Sequence, residues 1–230
     1  MYKALFEMSR DRGDFLARLF SRERPAGIDR DTSVDELFAG FAAARPSARV
    51  YNETTQLIRA QLLEARGFPL PTDGLDSIDA SLKAFYWGGP DIRYSHALPR
   101  SPTPPSYRDL MTARDLGGRA RSYLATEAAF AFVKSLHAGN LILPIVGDFA
   151  GPSAIRRVGD YARQRQQLVS AFYSSNVEVY LTRDQRRIFC GSLATLPHDS
   201  GTWFIASARL QPLTTKLKAC AGIEPSLHWP

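Results

Sequence analysis

Cysteine is scarce in this 230-residue chain, with Cys190 and Cys220 alone. Neither stands in C-x-x-C or any other metal-binding spacing, and two cysteines build no disulfide framework, so buried or idle thiols are expected. The four histidines, His96, His137, His198 and His228, are scattered. They stand far apart along the chain, so no metal site is expected short of long-range assembly. No apolar run approaches the roughly 20 residues that span a bilayer. The opening MYKALFEMSRDRGDF carries acids early and lacks the apolar centre and small-residue cleavage site of a signal peptide. With Met1 as the true start, these absences predict a cytoplasmic chain without a membrane partner. Also missing are a phosphate-binding P-loop, a G-x-S-x-G nucleophile elbow and a G-x-G-x-x-G dinucleotide turn.

Lysine is scarce too. The 29 basic residues include only Lys3, Lys83, Lys134, Lys216 and Lys218; the rest are arginines. The net charge is +6 and the pI about 9.5. The arginines are spread along the chain beside acids, which fits solvated helix faces better than a nucleic-acid stripe, and no nucleic-acid fold signature accompanies them. What is plentiful is apolar sequence: 44% of residues are hydrophobic, enough for one substantial core.

The first hundred residues read as helices. Leu5, Met8, Phe15, Leu16 and Leu19 mark a helix over 1–20, weakened at Gly13. It opens on an apolar face without a cap, which predicts a segment upstream. Thr32 or Ser33 caps a second helix over 34–44, with Asp35 and Glu36 in its first turn. Asn52 or Thr54 starts a third, to Arg66, and Asp73 or Asp76 a fourth, to about Trp87. An aromatic loop follows, Tyr86 to Asp91 with Tyr94 and His96. It reads as a cover for a flat ligand or as a packing edge. The expected organisation is one domain, 1–230. It comprises a mainly helical part over 1–97, a proline-rich loop over 98–109 and a sheet part over 110–230.

The second half changes period. Tyr123-Leu124 reads as a short strand and Thr126 to His137 as a helix. Residues 141–146, LILPIV, form a continuous apolar run of strand length, which predicts a buried parallel strand despite Pro144. Gly151-Pro152 opens a helix to about Arg165, and 168–173 reads as the next strand. A right-handed crossover lays these two strands side by side. Their exits would then bring Gly147 and Asp148 beside Ser174, Ser175 and Asn176 on the rim where ligands bind in parallel sheets. Asp148 reads either as a ligand contact or as a turn-former that satisfies backbone amides. Glu178 reads as a general acid or base, or as a first-turn residue behind a cap at Ser175 or Asn176. Runs over 187–195 and 202–208, joined by LPHDSG, read as a closing antiparallel hairpin. Cys190 falls within the first of them.

A parallel sheet closed by a hairpin is similar to the core of class I S-adenosylmethionine-dependent methyltransferases. The blocks ILPIVGDFAGPSAIRRVGDY, AFYSSNVEVYL, SLATLPHDSGTWFIAS and MYKALFEMSRDRGDFLARLFSR resemble those of an uncharacterised bacterial family with such a Rossmann-like core. That resemblance implies an α/β fold with an incomplete, mostly parallel sheet, and S-adenosylmethionine as cofactor. It implies cofactor contacts at Gly147, Asp148, Phe149, Ser174, Ser175 and Asn176, with Asp148 and Glu178 as catalytic candidates. Longer sequences of that pattern open with a glycine-rich strand-to-helix loop, absent here, so methyl transfer is expected of a complete form. The alternatives are a non-catalytic module binding a small molecule or a protein, and a hydrolase using Asp148 and Glu178. Loss of the opening strands would leave a sheet edge uncovered, which predicts self-association.

Overall fold

The computed structural model describes residues 1–93, 104–207 and 209–222. Tyr94, His96, His228 and part of the proline-rich segment lie outside the described residues. The protein is a helix-rich α/β protein, with ten α-helices and one three-stranded mixed sheet among those residues. It divides into two compact units, Met1–Leu143 and Pro144–Pro230, a division that falls beyond the proline-rich segment.

The first unit is all-helical. The single helix expected over 1–20 is two, α1 (Tyr2–Met8) and α2 (Arg12–Phe20). The break is at Asp11 rather than Gly13, because the Asp11 carboxylate accepts the Asp14 amide and starts a new helix. Ser33 and Glu36 form a capping box at the head of α3 (Val34–Ala43). The third helix starts earlier than expected, as α4 (Ala48–Arg59), because Ser47 caps it. A π-helical turn, Ala60–Ala65, prolongs it. Next come α5 (Thr72–Gly88) and the short α6 (Tyr107–Thr112). Tyr123-Leu124 is a bend and no strand; Leu124 is buried all the same. The helix expected from Thr126 to His137 is α7 (Glu127–Ala138), with Thr126 as its cap. Phe6, Phe15, Phe20, Phe38, Phe41 and Phe130 fill the core. Arg12 is buried within it and is fully occupied. Its guanidinium donates to the carbonyls of Leu124, Arg30 and Thr32 at 2.8 Å each and meets Glu127 at 3.3 Å.

The second unit holds the sheet. After α8 (Ala154–Gln164) comes β1 (Ala171–Ser175), then α9 (Arg183–Leu193), β2 (Trp203–Ala206), β3 (Arg209–Pro212) and α10 (Leu213–Ala221). The strand order is β1-β2-β3, the first pair parallel and the second antiparallel. Ile155, Phe189, Leu193, Leu196, Phe204 and Leu213 form its core. Tyr173, Trp203 and Leu210, on the other side of the strands, are exposed.

Three expectations are corrected here. Residues 141–146 form no strand, and all but the half-buried Ile142 are exposed, Leu141 at 71% and Val146 fully. The partner of β1 is β2. The run is apolar enough to need burial, but Pro144 lacks a ladder donor. Residues 187–195 lie almost wholly in helix α9. A capping box of Thr182 and Gln185 starts it, and Phe189, Cys190 and Leu193 are buried along one side of the helix. The hairpin therefore joins β2 to β3, with LPHDSG leading from α9 into β2. Finally, Cys190 and Cys220 are not idle thiols: they form a disulfide between α9 and α10. Closing a loop of 30 residues contributes about 3 kcal/mol of stability by restricting the unfolded chain. Such bridges persist in oxidising compartments and are rare in cytosol, which the expectation of a cytoplasmic setting leaves unexplained. No helix among the described residues is long and apolar enough to cross a membrane.

Candidate functional site

The parallel pair sets the geometry of the second unit. Phe172 on β1 stands in register with Phe204 on β2, rings stacked at 6.1 Å and 4°. Both strands end together, and the Ser207 amide donates to the Ser175 carbonyl at 3.1 Å. The common carboxyl-terminal rim therefore carries Ser175 and Asn176 from one strand and Ala206 and Ser207 from the next. Ser175 sits at φ 51°, in the left-handed region that few non-glycine residues adopt. That twist turns the chain into the 3-10 turn Val177–Tyr180, which carries Glu178.

A cleft of about 260 Å³ opens on this rim, lined by Ser175, Asn176, Glu178, Ser207, Gln211 and Lys216, among others. Lys216, from α10, is paired with the Glu178 carboxylate and lies 5.1 Å from the centre of the Phe204 ring. The side chains of Lys216 and Glu178 are only 14% and 25% exposed. Asn176 donates from Nδ2 to the Tyr180 hydroxyl at 3.3 Å. Arg209 lines the cleft from an exposed position. Ser174 does not line it. Its side chain is buried, with the hydroxyl 3.5 Å from the Ile205 carbonyl.

Gly147, Asp148 and Phe149 line a different cleft, of about 230 Å³, with apolar neighbours that include Ile155, Val158, Phe172 and Leu196. The Asp148 carboxylate accepts the Ala150 amide at 2.8 Å and its carbonyl accepts the Gly151 amide at 3.0 Å. It shapes the turn that leads toward α8. At Gly147 a Cβ would overlap the Ala154 methyl, so only glycine fits this approach. The six residues expected on one rim thus fall into three places. Ser175 and Asn176 share the polar cleft with Glu178, and Gly147, Asp148 and Phe149 share the apolar one. Ser174 is packed inside. The reason is that 141–146 never joins the sheet, so its exit is not brought to the strand ends. A hydrolase pair of Asp148 and Glu178 loses its basis, because the two carboxylates line separate clefts.

Lys216, Ser207, Arg209 and Gln211 escaped the sequence reading. Ser207 was inside an expected strand, and the other three lie beyond it. The one local signal was Lys216 itself, a rare lysine set in the small and apolar LTTKLKACA.

In the first unit, the aromatic loop shows Tyr86 edge-on to Tyr51 at 5.4 Å and Trp87 exposed. At Gly89, φ 53°, a side chain would strike the Arg22 guanidinium. The Tyr107 and Tyr123 hydroxyls share a hydrogen bond, and Tyr2 adjoins them. Burial pushes the Tyr2 phenol up to about 12 and raises Tyr107 and Tyr123 as well. These phenols stay protonated at neutral pH. No group of three or more His, Cys, Asp or Glu side chains able to hold a metal ion occurs among the described residues.

The fold and clefts define a helix-rich α/β protein with a polar cleft at the ends of a parallel strand pair. The chain belongs to the family described as Domain of unknown function (DUF7790), which matches residues 94–217. The match starts within the first unit, ahead of α6, and runs through β3 into α10, so it contains the whole sheet and both clefts. No curated protein matches the chain.

Proposed function

We propose that this protein binds a small polar molecule in the cleft at the carboxyl ends of β1 and β2. The observation that carries the reading is the half-buried Glu178–Lys216 pair, held on the rim where open parallel sheets bind their ligands. The two charges come from elements 38 residues apart and meet only through the fold. Asn176, Ser207 and Gln211 line the same cleft. At about 260 Å³ the cleft lies just below the roughly 300–1,000 Å³ of drug-sized sites. It suits a small metabolite, or one end of a larger cofactor.

Methyl transfer is the second reading. Its support is the resemblance of the sequence blocks together with a parallel pair that ends in an antiparallel hairpin. In a complete form with a Rossmann-like sheet, S-adenosylmethionine would be the cofactor. The enzyme's work would be mainly alignment of methyl group and acceptor, so few side chains need be catalytic. The 141–146 run would then be a strand that pairs only when the sheet is extended.

Titration calorimetry with S-adenosylmethionine and its demethylated product tests the second reading. Binding heat that falls at least tenfold in affinity with Lys216→Met supports cofactor binding in this cleft. Silence from both compounds, in this chain and in one extended by a glycine-rich N-terminal segment, ends the methyltransferase reading and leaves the small-ligand reading standing.

A further inference from the structure

We propose that the polar cleft selects a small zwitterion, with its ammonium group on Glu178 and its carboxylate on Lys216. The inference rests on the reading of this cleft as a ligand site and names the class of ligand.

The reasoning follows from what each kind of ligand does to the ion pair. Glu178 and Lys216 are mostly withdrawn from water and are each other's charged partner. A simple anion that takes Lys216 leaves the Glu178 carboxylate half-buried without its cation. A simple cation that takes Glu178 strands the Lys216 ammonium in the same way. An uncompensated charge in a desolvated site is strongly unfavourable. A molecule that carries both charges replaces each protein partner with one of its own, and neither side is left unpaired. The Phe204 ring beneath Lys216 keeps the ammonium in place during the exchange. Arg209 adds a cation at the mouth of the cleft, which strengthens the hold on the carboxylate end. The apolar stem of the ligand has Phe204, Val179 and Ala206 to lie on. About 260 Å³ is room for roughly eight waters at about 30 Å³ each, the scale of a free amino acid.

The test uses the intact protein and four probes of one chain length: L-norleucine, hexanoate, pentylamine and hexanamide. Backbone amide resonances of 175–178 and 206–216 report where each binds, and their titration gives affinity. The expected result is that norleucine binds at least tenfold more tightly than the other three. Glu178→Gln should remove its advantage over hexanoate, and Lys216→Met its advantage over pentylamine. A charge-swapped pair, Glu178→Lys with Lys216→Glu, should restore binding if the single variants fold poorly. Hexanoate, pentylamine or hexanamide binding as tightly as norleucine would overturn the zwitterion proposal while leaving the cleft a ligand site. If none of the four moves those resonances, the cleft reading and the proposal fall together.

Discussion

His137 shows how one side chain ties the stability of the first unit to pH. It stands in the last turn of α7, its ring stacked on Phe6 at 4.6 Å and 21°. Its Nδ1 is buried without a partner. Burial, then the Lys3 ammonium, hold its pKa below the usual imidazole value; Glu7 opposes them, and the N-terminal ammonium adds a smaller push downward. The folded state therefore keeps the ring neutral, while the unfolded chain takes up a proton near pH 6.5. Stability from this group is full above that pH and is lost as pH falls toward the lower folded value. Thermal melts between pH 8 and 5 should show the midpoint falling below about pH 6.5. His137→Phe, which keeps the stacking and cannot titrate, should flatten that fall. Identical pH profiles for the two proteins would remove His137 as the cause. The paired carboxylates of Glu7 and Asp11, held below their usual range, lose their contribution only at lower pH. At this scale the sequence was readable where chemistry is local. Ser33, one of two caps expected for its helix, does cap it, because a hydroxyl needs only an amide three residues on. The role of His137 was hidden, since Phe6 and Lys3 reach it across more than 130 residues.

Among the elements, helices were more legible than strands. Capping groups and 3.6-residue periodicity mark a helix from within, whereas a strand is defined by its neighbour. Residues 141–146 and 187–195 were both read as strands on apolar content alone. The second carried its contrary signal in Thr182 and Gln185, and the first carried it in Pro144. The polar half of the site was legible in Ser175, Asn176 and Glu178 because strand exits collect polar groups. Its other half was not, because Lys216 arrives on a helix after a hairpin placed one strand too early. The sheet that results has a consequence for association. Among the described residues β1 pairs on one side only, and its five residues, AFYSS, carry no charge and no proline to blunt the open edge. Light scattering should show apparent mass rising with concentration, and Tyr173→Lys should suppress the rise. A steady monomer mass across the concentration range would show that this edge does not pair in solution.

For the whole molecule the feature with most consequence is the link between the two units. The family match begins in the first unit and ends in the second, so the matched sequence runs across that link. Yet the backbone from Ile142 to Gly147 joins neither helix nor strand, and Leu143, Ile145 and Val146 stand in solvent. Each unit encloses its own set of buried residues. An exposed, leucine- and isoleucine-bearing stretch outside helix and strand is ready-made bait for a protease with an apolar cleft. Brief digestion with chymotrypsin or thermolysin should sever the chain first near Leu143, and both halves should outlast the cut. A first nick inside either core would mean that the seam is guarded.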